Sequence, residues 1–490
     1  MIAPARLSQL GRLTFLFKDS VLYGGAAAIS KAFALITFPL LARQLSVVDY
    51  GVLDFFLVLS SLVTLLFVFG QDSAVARFFY EHEDDEARRQ LISQSLAFQV
   101  GLLLLAVPVL WFAAEYVTRF LVDSPQAVLL FRIVLLQLPF LLLLNFSQNL
   151  LKWNFQRRPF MILSLGSTVV QAGLLVFVLF MLDAGPGEIL LVYLAVTIGF
   201  GLLGIWFVRA WLAWPQGFAY LRCMLPYAIP FGLICVLGAF LPALERNLTN
   251  ELLGAHELGL YAAGAKIAML VGIVVSAFQT AWGPFSLSLY KQDDAGHTYN
   301  AVLRVFTLLV CVMVLGLSLV AETLIYWLAS ERYVGAAVVV FPLALGLAMQ
   351  AIGWITEIGI SISKRSHLGL YGYVVAVIVT VAGIMWLAPR LGLVGVAAGV
   401  LAGQASRAAV SSWLAQRAWP LPWRFGPVLF VGALTLTVGF ASLWVGQVYG
   451  ELGQRLALSV GIFAVLVIGG RVLFTIEEIM RAYELVRRYL

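Results

Sequence analysis

The sequence predicts an all-α polytopic membrane protein of about 14 transmembrane helices, and three observations predict it. Hydrophobic residues make up 62% of the 490-residue chain and charged residues 11%, with a mean hydropathy of +0.97. That composition lies outside the soluble globular range. Apolar runs of about 18 to 25 residues recur from end to end, each long enough to cross a hydrocarbon core of roughly 30 Å. Basic residues gather on alternate connections, as the positive-inside rule requires of a multi-pass chain.

Apolar runs separated by polar breaks place the first-half spans at 20–44, 51–73, 91–113, 127–149, 160–182 and 188–208. The second half gives 225–249, 258–282, 300–328, 335–360, 368–388 and 392–414, and a final pair follows at 426–447 and 456–474. Arg6, Arg12 and Lys18 precede the first span, which lacks a small-residue cleavage site and so reads as a retained helix. An even number of spans puts both termini on one side. One set of loops, with the termini, collects Arg77, Arg88, Arg89, Lys152, Arg157, Arg158, Arg209, Arg222, Lys291, Lys364, Arg365, Arg417 and Arg424. The opposite loops hold only Arg119, Arg332, Arg390 and Arg455. Both termini are therefore expected in the cytoplasm.

Every connection is short, so no extramembrane domain is expected. The expected organisation is a cytoplasmic segment 1–19, a first lobe 20–208, a cytoplasmic linker 209–224, a second lobe 225–414, the last two spans within 415–474, and a tail 475–490. The tail, "TIEEIMRAYELVRRYL" with its preceding turn, reads as an amphipathic helix at the inner surface or as a solvated end.

Two stretches suggest internal duplication. "QLSVVDYGVLDF", Gln44 to Phe55, leaves an apolar span, offers Asp49 two places before Gly51, and re-enters apolar sequence. "LLGAHELGLYAAGAKI", Leu252 to Ile267, repeats this with Glu257 and Gly259, 208 residues later. Six spans precede the second copy, which implies two six-helix bundles related by a pseudo-twofold axis along the membrane normal, plus the two C-terminal helices. Charged residues within the spans do not repeat at this offset.

Ionisable residues inside spans are costly and are functional candidates by default. They are Lys31, Arg43, Asp54, Asp72, Arg132, Glu245, Arg246, Lys266, Arg304, Glu322, Glu357 and Arg407. Arg43, Asp72, Arg304 and Glu357 lie near span ends and can snorkel to water. Lys31, Arg132, Arg246 and Lys266 are the candidate cavity cations, suited to an anionic cargo. Pairing with Asp54, Glu245, Glu322 or Glu357 is the alternative role, and those carboxylates are also candidates for ion coupling. Pro226, Pro230 and Pro242 in the seventh span, with Gly24, Gly25 and Pro39 in the first, mark bends that could gate or simply distort their helices.

Other features exclude chemistry. Cys223, Cys235 and Cys311, and the scattered His82, His256, His297 and His367, lack metal-ligand or disulfide spacing. No nucleophile, base and oxyanion set is visible, so neither metal, cofactor nor catalytic residues are expected. "GFGLLG" at Gly199 lies inside an apolar span with no preceding strand and is no dinucleotide site. "GVAAGVLAG", Gly395 to Gly403, instead predicts close helix packing. The net charge of +6 belongs to the loops and gives no nucleic-acid signal.

The chain resembles the bacterial polysaccharide flippases, the O-antigen and exopolysaccharide branch of the multidrug/oligosaccharidyl-lipid/polysaccharide exporter superfamily. The resemblance rests on "LLARQLSVVDYGVLDF", "RFFYEHEDDEARRQLIS", "LLGAHELGLYAAGAKIAML", "AWGPFSLSLY" and "APRLGLVGVAAGVLAG", in this order and within the fourteen-span layout. It implies alternating access in the bacterial inner membrane and a cargo of undecaprenyl-pyrophosphate-linked oligosaccharide, moved from the inner to the outer leaflet. It further implies that Lys31, Arg246 and Lys266 meet pyrophosphate or acidic sugars, that the last two spans form a groove for the lipid tail, and that a polymerase or export complex is a potential partner. A drug or small-solute antiporter of the same superfamily, a glycan-modifying membrane enzyme and an export-complex scaffold are the alternatives.

Overall fold

The structure, a computed structural model, describes residues 37–474 apart from 80–81, 83, 120–125, 183, 290–294, 364 and 366. Lys31, Gly24 and Gly25, segment 1–19, most of span 20–44 and tail 475–490 lie outside the described residues. Among the described residues every regular element is a helix. Twelve are long and apolar enough to cross a membrane. The last, Phe425–Leu473, is interrupted at Gly450, whose φ of 74° and ψ of −171° suit glycine alone. This break separates the two final spans expected from sequence.

The repeated acidic-glycine stretches are helix starts. Ser46 caps helix Val47–Val68: its Oγ accepts from the Asp49 amide at 3.0 Å and donates to Asp49 Oδ2 at 2.6 Å. In the second copy Gly254, with φ of 92°, ends helix Ala219–Leu253, and its carbonyl accepts from Leu258 as helix Ala255–Leu289 begins. Asp49 and Glu257 both stand in the first turn, where a carboxylate is stabilised by the helix dipole. Asp84, from the acidic inner loop, caps helix Asp85–Phe112 by accepting from Ala87 at 3.0 Å.

The chain divides into two compact units, Met1–Gly259 and Leu260–Leu490. The division falls after helix Ala219–Leu253, which packs on helices Val47–Val68 and Gln71–Phe79.

Hydrophobic burial does not hold helices together in lipid, so close backbone approach and polar contacts do. In the first unit, helix Ala219–Leu253 runs antiparallel to Val47–Val68. Gly232 meets the Phe69 backbone, where an added Cβ would lie 2.7 Å from the Phe69 carbonyl carbon. It runs unbroken through Pro226, Pro230 and Pro242. Gly51 abuts Gly259, an added Cβ lying 2.6 Å from the Gly259 nitrogen. Helix Pro186–Val208 meets Ala127–Trp153 through Gly201, whose added Cβ would stand 2.6 Å from the Phe140 carbonyl oxygen. A cluster of Val75, Phe79, Leu91, Ile92, Leu150 and Met224 fills the end of this unit. Leu104, Leu105 and Phe112 are 71%, 73% and 86% exposed, the surface of a helix that faces lipid rather than water.

In the second unit "GVAAGVLAG" does what its small residues predict. Gly399 packs on Gly383 and Ile384, with an added Cβ 2.6 Å from the Ile384 nitrogen. Gly395 and Gly403 press the same helix pair, Leu393–Ala418 against His367–Leu391, at Leu387 and Thr380.

Candidate functional site

The first unit encloses a cavity of about 670 Å³, walled by helices Val47–Val68, Gln71–Phe79, Ala127–Trp153, Ser167–Met181 and Pro186–Val208. Helix Ala127–Trp153 supplies a polar stripe of Gln137, Asn145, Gln148, Asn149 and Lys152, at the spacing of one helical face. Ser60, Ser61 and Thr64 face it from Val47–Val68. Ser167, Gln171, Tyr193 and Thr197 complete the wall. A π-helical turn, Ile162–Gly166, precedes Ser167, the kind of local widening that recurs at functional sites.

The cavity has two distinct ends. At one, Asp72 and Lys152 lie within electrostatic reach of each other. At the other, Tyr193 and Gln171 line the wall together, and Tyr193 lies within electrostatic reach of Asp54. Asp54 is 1% exposed and accepts from Arg246 Nε at 2.6 Å, while Arg246 Nη1 donates to the Pro242 carbonyl at 3.1 Å. A buried ion pair thus stands within electrostatic reach of the Tyr193 wall of the cavity.

Buried amides elsewhere in this unit are consumed by structure. Gln90 Oε1 accepts from the Gln216 amide at 2.8 Å, and its Nε2 donates to the Trp214 carbonyl at 3.1 Å. Gln94 accepts from the Leu221 amide at 3.1 Å. In the cavity the outcome differs: Gln137 Oε1 and Ser60 Oγ are buried without a hydrogen-bond partner among the described residues.

The second unit holds an apolar groove of about 830 Å³ between Ala337–Thr356, Leu393–Ala418 and the Phe425 half of the following helix. Ala398, Ala402, Ala405 and Ala409 keep one wall low, and Met349, Phe425, Leu429 and Phe440 line the others. Beside it, Arg407 is 1% exposed. It stacks over Tyr373 at 4.7 Å, donates Nη2 to the Gln350 carbonyl at 3.3 Å, and lies within electrostatic reach of Glu357.

The other expected residues are placed as follows. Arg132 stands over the Trp111 ring at 5.3 Å. Lys266 is half-buried in the first turns of Ala255–Leu289. Neither of these two, nor Arg246, lines the cavity or the groove. Glu245 is buried beside Arg246, and its carbonyl accepts from Thr249 Oγ1 at 2.6 Å. Glu322 lies near Arg455, which pairs with Glu451 and donates to Thr323 Oγ1 at 2.9 Å. Pro39 is half-buried in the helix of residues 37–44. Among the described residues no cluster of His, Cys, Asp and Glu is arranged to hold a metal. Sequence reasoning over charges missed the amide stripe, although its three- and four-residue spacing is visible in the sequence.

A polar cavity and an apolar groove are thus both built from helices of membrane-spanning length. The comparisons with known proteins agree. Residues 40–338, more than half of the chain, match the family described as "Polysaccharide biosynthesis protein". The chain belongs to this family. Two Haemophilus influenzae proteins are similar: an Lsg locus protein, 24% identical over 65% of this chain and 78% of its own, and a membrane protein, 22% identical over 57% and 67%. The fold matches that of the lipid II flippase MurJ in an inward closed conformation, with a TM-score of 0.71 at 15% identity over 92% of this chain and 99% of that one. An inward-facing MATE multidrug transporter of the MOP superfamily also matches, with a TM-score of 0.64 at 15% identity over 80% and 97%. This member of the polysaccharide biosynthesis family is a multi-pass membrane protein with a transporter fold.

Proposed function

We propose that this chain is a flippase that carries an undecaprenyl-pyrophosphate-linked oligosaccharide from the inner to the outer leaflet of the bacterial inner membrane by alternating access. The observation that carries the reading is the 670 Å³ cavity, lined with amides and hydroxyls, inside helices of membrane-spanning length. Polar side chains are expensive at that depth unless they serve a polar passenger or water. A polar headgroup cannot cross hydrocarbon unaided and needs such a route. The groove of about 830 Å³ supplies the complementary apolar surface for a polyprenyl tail.

In this reading both termini are cytoplasmic and the halves are duplicated bundles, 20–208 and 225–414. Asp72 and Lys152 then mark the cytoplasmic end of the cavity, and the Asp54–Arg246 pair closes the opposite end. Lys31, Arg132, Arg246 and Lys266 are the cations that would meet pyrophosphate or acidic sugars. Pro226, Pro230 and Pro242 lie in the helix whose movement would release the seal, and the protein carries out no covalent chemistry.

The test is to deplete the protein and follow the pool of lipid-linked oligosaccharide. Accumulation of that pool on the cytoplasmic face, with loss of outer-leaflet glycan, is expected. A normal pool with heightened sensitivity to cationic drugs would replace this reading with a drug antiporter.

A further inference from the structure

We propose that the cavity of the first unit is a pocket for uncharged sugar rings, with Gln137, Asn145, Gln148 and Ser60 as the residues that read them. The proposal rests on the flippase reading and deepens it by dividing the cargo: the glycan is gripped in this cavity by neutral groups rather than by cations.

Three observations carry it. The first is the chemistry of the wall. Each Asn or Gln offers one acceptor and two donors on a short arm, and each hydroxyl offers both functions. That inventory matches vicinal ring hydroxyls and acetamido groups, which themselves donate and accept. The second is charge. Asp72 lies within electrostatic reach of Lys152 at one end, and near the other the Asp54 carboxylate accepts from Arg246 at 2.6 Å. A site for an organic cation needs surplus carboxylate and a site for a phosphate needs surplus cation. The described lining has neither. The third is the unmet hydrogen-bonding capacity. Gln137 is 4% exposed and Ser60 3% exposed, yet Gln137 Oε1 and Ser60 Oγ have no partner among the described residues. Buried polar groups are otherwise satisfied, and leaving one unpaired costs about 1–3 kcal/mol. Gln90 and Gln94, on a neighbouring helix, show how fully this unit satisfies amides that have only a structural task. The volume of about 670 Å³ lies within the range of ligand clefts.

The experiment uses the full chain with Cys223, Cys235 and Cys311 replaced by serine and Leu141→Cys introduced, with Val196→Cys as a second reporter, both at lining positions that do not read the sugar. The labelling rate by a small thiol reagent is measured in detergent with two probes. One is a polyprenyl pyrophosphate bearing a neutral N-acetylhexosamine disaccharide, and the other is the same carrier without sugar. Wild-type proteoliposomes are assayed alongside for transport of the sugar-bearing carrier. The expected result is that the sugar-bearing carrier slows labelling by about fivefold or more while the bare carrier changes it by less than about twofold. Equal slowing by both carriers, or none by either at both reporters, with wild-type transport intact, overturns the pocket and leaves the flippase standing. Absence of wild-type transport sinks the flippase reading and this proposal together.

Discussion

Arg246 donates its Nε to Asp54 Oδ2 at 2.6 Å, joining two helices almost 200 residues apart in the chain, and the two side chains are 7% and 1% exposed. A buried pair of this kind is weak evidence of net stability, but breaking it strands a charge. Arg246→Leu should therefore destabilise the protein by about 3–5 kcal/mol. The double variant Asp54→Leu with Arg246→Leu should recover most of that loss. Thermal unfolding in detergent, run as a double-mutant cycle, measures both. If the double variant is as unstable as the sum of the singles, the two residues do not act as a pair.

Gly51 is the second close approach at the same end of the first unit. Its Cβ, if present, would stand 2.6 Å from Gly259 N and 2.8 Å from Gly259 Cα, with no flexible atom to yield. Gly51→Ala should cost about 1–3 kcal/mol by forcing backbones apart. Gly101→Ala, on a helix surface with nothing within 4 Å, should be neutral or stabilising by up to about 1 kcal/mol. The two melting temperatures read side by side decide the matter.

Arg407 is held by geometry as well as charge, through Gln350 and the Tyr373 ring at 4.7 Å. Lysine lacks the planar fork and the stacking surface. Arg407→Lys should thus be nearly as destabilising as Arg407→Met, with Glu357 left poorly answered, and both should lose about 3 kcal/mol or more. Thermal aggregation of the solubilised chain reports it. Near-wild-type stability of the lysine variant would show that charge alone suffices there.

The groove beside Ala402 and Ala405 is open space, so a larger apolar group should fit without strain. Ala405→Phe should leave the melting temperature within the range of a tolerated surface change, about ±0.5 kcal/mol. It should lower transport of a long-chain polyprenyl substrate about tenfold or more, and of a short-chain analogue much less, because the tail loses its seat. Equal transport of both by the variant would mean the tail does not use the groove.

The fold was legible because a membrane forces it to be. Every backbone group in a span must be satisfied within a helix, so apolar length reports helices directly, and "GVAAGVLAG" reported a close contact because only small residues permit one. Asp54 was visible as a partner for some cation, but the choice of Arg246 depends on Ala219–Leu253 packing against Val47–Val68, which no local pattern encodes. The site was less legible for a physical reason. Formal charge draws attention because its desolvation is so costly, yet Gln137, Asn145, Gln148 and Asn149 carry the polar face without any charge. Their helical spacing could have revealed it. What spacing could not reveal is that Gln90 and Gln94 spend their hydrogen bonds on Trp214 and Leu221 while Gln137 leaves its Oε1 without a partner among the described residues.

The most direct measurement is the sidedness of a polyprenyl-pyrophosphate-linked oligosaccharide in liposomes holding the purified chain, read by an impermeant glycan-modifying reagent. The account predicts that the protected inner pool becomes accessible in protein-bearing vesicles, and that Gln137→Leu lowers the rate about tenfold without loss of folded protein. An inner pool that stays protected in vesicles with correctly folded wild-type chain would contradict it.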